Sequence, residues 1–539
     1  MARRQAGWRQ FMMAGLCLLS STSWAGPTDD LLAQTLRPQR NAAQTLKIAD
    51  AAVPQGVVRF YEERQWRAVW DDARYRSLLE QLADLQSDGL NPADYGLERL
   101  RALASASTPE LQLERELVAT QGYLEALIDL YRGKVDPVRL DPHWNFDTRQ
   151  IDPEQGLKMA REAVESNHIA EFFQRARPTM PQYNIVRSAL ARYRGIAHEY
   201  KDWPRLPEGS PLKPGMSDPR VVALRERLRI VGLIAGGDSS ETYDPALAEA
   251  VQRFQRESYL PADGVVGGAT VRELNVGVDQ RIGQLRANLE RLRWFLRKQR
   301  ERAVVIDLAG YRVLYMRGDE VVWSSRVQIG RSVRQTPIFQ AAISHITLNP
   351  TWTVPPTILR EDSLPAIRRD RGYLARNNIR VLSADGRELA PGSVNWAQPG
   401  NIMLRQDSGD GNSLGRMVIR FPNPYSIYLH DTPHKSHFSD SQRAFSSGCI
   451  RVENIRELAL LLLDDNVHWR SEDMDKALAD NKTRNVNLAR KVPILIAYWT
   501  VDIGKDGYVS FKPDVYGQDV LILKALDTPP QLPARLSGG

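Results

Sequence analysis

Chemistry in this sequence concentrates around one thiol. The 539 residues include two cysteines and eight histidines, and three of those histidines, His430, His434 and His437, lie within the 19 positions before Cys449. Cys449 follows a small-residue turn, Ser446-Ser447-Gly448, and precedes Ile450-Arg451-Val452. A thiol with an imidazole in reach is the minimum for covalent acyl chemistry. The thiolate attacks, the imidazole takes and returns a proton, and N–H donors stabilise the oxyanion. The other cysteine, Cys17, falls in a segment with the pattern of a cleaved leader, so the mature chain keeps Cys449 alone. An unpaired thiol in an oxidising compartment is a liability unless its reactivity is used. The structural alternative is a small, buried, inert thiol. A zinc site built from Cys449 and the three histidines is a further alternative, but the spacings match no closed site. No metal and no cofactor is expected.

The elements that must position these groups are legible around them. Arg416–Asp431 reads as a strand, a Pro-containing turn and a second strand. In the second strand Ile427 and Leu429 share one face, and Tyr428 and His430 the other. A strand fixes the His430 ring, whereas His434 and His437 sit in a polar loop, so His430 is the preferred acid/base. The Asp431 side chain should point to the opposite face, leaving a backbone carbonyl to orient His430. After Cys449, Asn454 is placed as an N-cap with Glu457 three residues on, and LALLLL continues the helix. The thiol is therefore expected just ahead of a helix N-terminus, which would lower its pKa.

The composition is that of an ordinary globular chain, with 42% hydrophobic and 25% charged residues, and its length requires two to four domains. Residues 1–25 combine Arg3, Arg4 and Arg9, an apolar run from Phe11 to Leu19 and a Ser23-Trp24-Ala25 end. That is the pattern of a secretory signal peptide, cleaved before Gly26. No later stretch is long and apolar enough for a transmembrane helix. The formal charge of +7 falls to about +4 without the leader, and Lys and Arg are interspersed with acids. Nucleic acid is not an expected partner.

Further along, residues 26–205 are helix-rich, with Tyr75–Ser87 and Leu111–Gly133 strongly periodic and Trp66 and Trp70 expected in the core. His143 and His168 have no metal-ligand spacing. A Pro/Gly-rich linker, Trp203–Pro219, precedes three short helices at Val221–Leu233, Pro245–Ser258 and Ala269–Asn275, with a Asp263-Gly264 turn between the last two. A charged helix, Asp279–Arg302, follows. From Arg302 the period changes to two, and strands with Gly-containing turns form a β-meander. Trp352 is a candidate groove wall. Thr357–Arg416 is long, polar and punctuated by Gly and Pro, as structureless functional insertions are, and Trp396 within it is a candidate substrate contact. Val492–Ile503 reads as a final strand.

The stretch from His430 through Ser446-Ser447-Gly448-Cys449-Ile450-Arg451 resembles the active-site signature of the L,D-transpeptidases with a YkuD-type catalytic domain. Ser447 stands where that family usually has a second His. The Ser-Ser-Gly-Cys form and the HDTP around His430 are similar to the large Gram-negative, YcbB-like subgroup. The resemblance implies a multidomain α+β protein: a signal peptide (1–25), a helical scaffold domain (26–205), a three-helix peptidoglycan-binding module (206–278), a linker helix (279–301), a mostly-β catalytic domain (302–500) with a capping insertion (about 357–415), and a C-terminal tail (501–539). It implies periplasmic cell-wall biogenesis that supports cell shape, with peptidoglycan stem peptides and glycan as partners. Cys449 would be the nucleophile and His430 the proton donor and acceptor. Cys449 and Tyr428 N–H groups would form the oxyanion hole, and Gly448, Ser447, Arg451 and Trp352 would serve the loop or the substrate. The reaction would expel D-Ala from a tetrapeptide stem and form a 3–3 cross-link, and carbapenems would acylate the same thiol. Hydrolysis of the same thioester, as a carboxypeptidase or endopeptidase, and a non-catalytic wall-binding protein are the competing functions.

Overall fold

The computed structural model describes residues 26–39, 52–150, 152–200, 203–236, 239–295, 300–464, 468–504 and 506–529. The expected signal peptide lies outside these residues.

The N-terminal part is helical. Its longest helix, Pro109–Arg132, starts with Thr108 as N-cap and Pro at its first position. Glu116 on this helix is buried, and its carboxylate accepts from the Val69 and Trp70 amides at 2.9 and 3.0 Å and from the Tyr61 hydroxyl at 2.8 Å. The Trp70 indole donates to Thr120 Oγ1 at 2.8 Å. Trp66 and Trp70 are both core residues, and Trp70 is held by one buried carboxylate and one hydroxyl.

A separate small core, including Leu224, Leu228, Tyr243, Leu247 and Val251, joins the helices Arg220–Ile230, Pro245–Glu257 and Gly268–Leu274. Here buried Gln255 reads the following turn: its Oε1 accepts from Gly264 N at 2.8 Å and its Nε2 donates to Val265 O at 2.9 Å. Gly264 has φ +73°, which explains the glycine.

The charged helix, Val278–Trp294, is more than a linker: it is a buried axle. Arg291, Arg293 and Glu290 are buried on it. Burial is tolerated because each charge is paired: Arg291 with Asp519 at 2.5 Å, Arg293 with Glu290, and Glu290 with the Val135 amide at 2.7 Å. The helix ties the scaffold to the C-terminal segment through these contacts and through Asn288, which donates to Thr500 Oγ1 at 2.6 Å.

The strands run β1 (Arg302–Asp307), β2 (Arg312–Arg317), β3 (Glu320–Gly330), β4 (Phe339–Leu348), β5 (Trp352–Thr353), β6 (Ile379–Ser383), β7 (Glu388–Leu389), β8 (Ile402–Gln406), β9 (Met417–Arg420), β10 (Leu429–His430), β11 (Ala444–Ser446), β12 (Ile450–Val452), β13 (Arg484–Ala497), β14 (Val501–Ile503) and β15 (Val509–Phe511). The main sheet has the order β11-β3-β12-β10-β9-β4-β13-β1-β2, and a β2–β3 pairing closes it on itself. Inward-facing Val304, Ile306, Val313, Ile346, Ile419, Leu429, Ile450 and Ile494 fill its core.

Three expectations are corrected. The 357–416 insertion is ordered: β5-β8-β6-β7 form their own sheet over a core of Val354, Ile367, Leu374, Val381 and Leu404. Trp396 belongs to that core, 3% exposed, with its indole donating to Pro391 O at 3.0 Å. It is a packing residue and not a substrate contact. The expected final strand is two strands, β13 and β14, separated around buried Thr500. Beyond them the helix Gln518–Leu526 packs into the body, with Ile522 and Leu526 in the main core.

Candidate active site

Cys449 and His430 are set by two neighbouring strands. β10 and β12 pair in parallel, with Leu429 opposite Ile450 and His430 opposite Arg451. One step back along both strands, Tyr428 and Cys449 lie side by side. The Tyr428 backbone amide and its hydroxyl both hydrogen-bond to the thiol. The Tyr428 and His430 rings meet edge to face with centroids 5.8 Å apart, so the two share a face as the alternation predicts. Ser426, at φ +57°, swings the chain so that its carbonyl accepts the weak S–H bond at 3.6 Å.

His430 is 5% exposed, and its Nδ1 contacts the Asp431 carbonyl at 2.5 Å. A carbonyl only accepts, so Nδ1 carries the proton and Nε2 keeps its lone pair for a thiol. The Asp431 carboxylate faces elsewhere, accepting from Arg416 N at 3.0 Å and pairing with Lys435. A backbone carbonyl therefore orients the imidazole. Burial, reinforced by the Arg451 charge and further lowered by Lys435, holds the His430 pKa down to about 3. His434 and His437 are exposed in and beside the turn Lys435–Ser439; His437 contacts Asp440 at 3.0 Å and packs on Phe445.

The thiol differs from expectation. β12 and Glu453 separate Cys449 from the helix Ile455–Leu463, and Asn454 at its N-cap makes no side-chain cap bond. Glu457 instead accepts from the Trp323 indole at 2.8 Å. Burial pushes the Cys449 thiol up, opposed by the Tyr428 hydrogen bonds and by the Arg451 and Arg420 charges. Burial thus favours the neutral form of both groups, raising the thiol and lowering the imidazole. The rate of Cys449 alkylation by iodoacetamide is expected to keep rising with pH past the ordinary thiol value of 9.0, without the acid-side plateau of an ion pair. A pH–rate profile followed by intact-protein mass checks this.

Around the pair, half-buried Trp352 on β5 hydrogen-bonds the Tyr428 hydroxyl, bringing the insertion against the site. Arg420 lies over the Tyr428 ring at 5.2 Å. Arg451 donates from Nη1 to Gln328 Oε1 at 3.0 Å, while its buried Nε and Gln328 Nε2 have no hydrogen-bond partner among the described residues. Buried donors of this kind suit an anionic group. Exposed Ser447 accepts from Arg334 Nη1 at 3.0 Å, and the same guanidinium binds Asp362 at 2.5 Å and Glu361 at 2.8 Å in the insertion. Gly448 turns the loop at φ +116°, which favours glycine. Ser446 Oγ accepts from Gly448 N at 3.1 Å and donates to Cys449 O at 2.5 Å.

Sequence reasoning missed Arg334, Arg420, Thr336 and Tyr516. Thr336 Oγ1 donates to Gly448 O at 2.7 Å, and Tyr516 accepts from Thr336 N at 3.2 Å. The only signal was Thr336-Pro337 ahead of a strand, which marks a turn without naming its partner.

The cysteine loop and the histidine strand sit side by side on a closed, mostly-β sheet. Residues 301–471 match the L,D-transpeptidase catalytic domain, and the chain carries that domain. Residues 217–274 match a family described as "putative peptidoglycan binding domain", and residues 55–190 match the scaffold domain. A Haemophilus influenzae protein described as "putative L,D-transpeptidase" is 32% identical over 219 residues, 40% of this chain and 44% of the relative. The match thus spans less than half the relative's length. Among solved structures, the L,D-transpeptidase from Xylanimonas cellulosilytica is 17% identical, covering 54% of this chain and 99% of that one, with a TM-score of 0.18. The L,D-transpeptidase from Stackebrandtia nassauensis is 12% identical, covering 55% and 96%, with a TM-score of 0.21.

Proposed function

We propose that this chain is a peptidoglycan L,D-transpeptidase acting through a Cys449 thioester. The observation that carries the proposal is the half-buried thiol next to a buried neutral imidazole on an adjacent parallel strand, with Tyr428 N–H at the sulfur. His430 Nε2 takes the thiol proton as Sγ attacks the carbonyl of the third stem residue. Backbone N–H groups of Cys449 and Tyr428 hold the oxyanion. The C–N bond to the terminal D-Ala breaks, and the imidazolium proton passes to the leaving amine. The side-chain amine of a second stem then attacks the thioester. His430 takes its proton and returns it to the departing thiolate, leaving a 3–3 cross-link.

Arg451 is the proposed holder of an anionic stem group, and Trp352 a wall of the groove. Ser447 and Gly448 shape the loop. The three-helix module is proposed to grip peptidoglycan, and the chain is proposed to act outside the cytoplasm, in the periplasm after leader cleavage. Scaffold, module and insertion together support the large YcbB-like subgroup.

The test is incubation of the mature chain with purified disaccharide-tetrapeptides and separation of the products. Dimers linked 3–3 with stoichiometric D-Ala are expected. D-Ala without dimers would assign a carboxypeptidase, cleavage of existing cross-links an endopeptidase, and no turnover would contradict the proposal.

A further inference from the structure

The Gly448–Cys449 peptide is held from outside its own loop. Thr336 Oγ1 donates to Gly448 O at 2.7 Å and accepts from Gly330 N at 3.0 Å. The Thr336 amide donates to the Tyr516 hydroxyl at 3.2 Å, and that hydroxyl donates to Gly330 O at 2.9 Å. Thr336 is 1% exposed and Tyr516 8%. Tyr516 is itself fixed, its ring stacked on Tyr498 at 5.5 Å and its amide donating to the Tyr498 hydroxyl at 3.0 Å. A chain of buried hydrogen bonds therefore runs from the C-terminal segment to the peptide just before the sulfur.

The orientation of that peptide decides where the Cys449 N–H points. In a trans peptide the C=O and N–H are opposed. Holding Gly448 O against Thr336 turns the Cys449 N–H to the other side, where no described residue accepts it. Gly448, without a Cβ, cannot fix the peptide sterically, so the hydrogen bond must. We propose that Thr336, braced by Tyr516, is a positioning residue that fixes the Cys449 N–H as an oxyanion donor. This inference rests on the acyl-transfer reading of the site. It makes the C-terminal segment, 180 residues from Thr336 in sequence, a working part of the catalytic apparatus.

The test compares two reactions of the same sulfur in the full mature chain. Acylation by a carbapenem breaks the lactam C–N bond, forms a thioester and sends the thiol proton to the ring nitrogen through an oxyanion. Alkylation by iodoacetamide displaces iodide at carbon and passes through no oxyanion. In Thr336→Val, acylation should fall by about 10²-fold, the usual effect of losing one oxyanion donor, while alkylation stays within about twofold of wild type. Thr336→Ser, which keeps the hydroxyl, should restore acylation. Equal loss in both reactions, or acylation of Thr336→Val at the wild-type rate, would overturn the inference. If Thr336→Val does not fold, Tyr516→Phe carries the decision: selective loss of acylation supports the brace, and unchanged acylation overturns it. A wild-type chain that alkylates but is never acylated overturns the acyl-transfer reading, and this inference with it.

Discussion

Cys449→Ala is expected to abolish stem-peptide turnover, with a loss on the order of 10⁴-fold or more, since every bond made to substrate in the proposed cycle passes through that sulfur. Folding should be nearly unaffected. The thiol makes a weak bond to Ser426 O at 3.6 Å, and the loop is held by Ser446 and Thr336 rather than by the sulfur. Thermal unfolding should show a stability change within about 1 kcal/mol, as for substitutions away from buried networks. Product analysis on the same preparation separates lost chemistry from lost structure.

His430→Gln is expected to lower kcat by about 10²- to 10⁴-fold, the range for loss of a positioned acid/base, with KM changing far less. It has a second consequence. His430 is held neutral in the folded protein down to about pH 3 but protonates near the ordinary histidine value of 6.5 when unfolded. Between those values the unfolded state binds more protons, so stability rises with pH. The His430 contribution is complete above 6.5 and is lost as pH falls toward 3. At about 1.4 kcal/mol per pH unit, it amounts to roughly 2–3 kcal/mol between pH 6.5 and 4.5. Urea unfolding should therefore show a weaker acid dependence in His430→Gln than in wild type.

The pair was legible because its signals are local. A lone mature cysteine on a Gly turn and a histidine on a two-period strand need no knowledge of the rest of the chain. The same locality explains what was not legible. The thiol was expected to have a lowered pKa because a helix follows, but β12 intervenes and burial dominates instead. Thr336 reaches Gly448 across 112 positions, and Tyr516 comes from a segment that reads only as a tail. Polar composition in 357–416 suggested a structureless lid, because the Trp396 core is assembled from apolar residues too sparse to show a period. The charged helix read only as a linker, since pairing of Arg291 with Asp519 is invisible until the chain is folded. Nonlocal hydrogen bonds and ion pairs, rather than secondary structure, are what the pattern of residues left unstated.

The most direct test of the central claim is intact-protein mass spectrometry of the mature chain mixed with a tetrapeptide donor and no acceptor amine. A transient adduct equal to the donor less D-Ala is expected, released by hydroxylamine and mapped to the peptide containing Cys449. Product formation with Cys449 never modified, or an adduct on another residue, would contradict it.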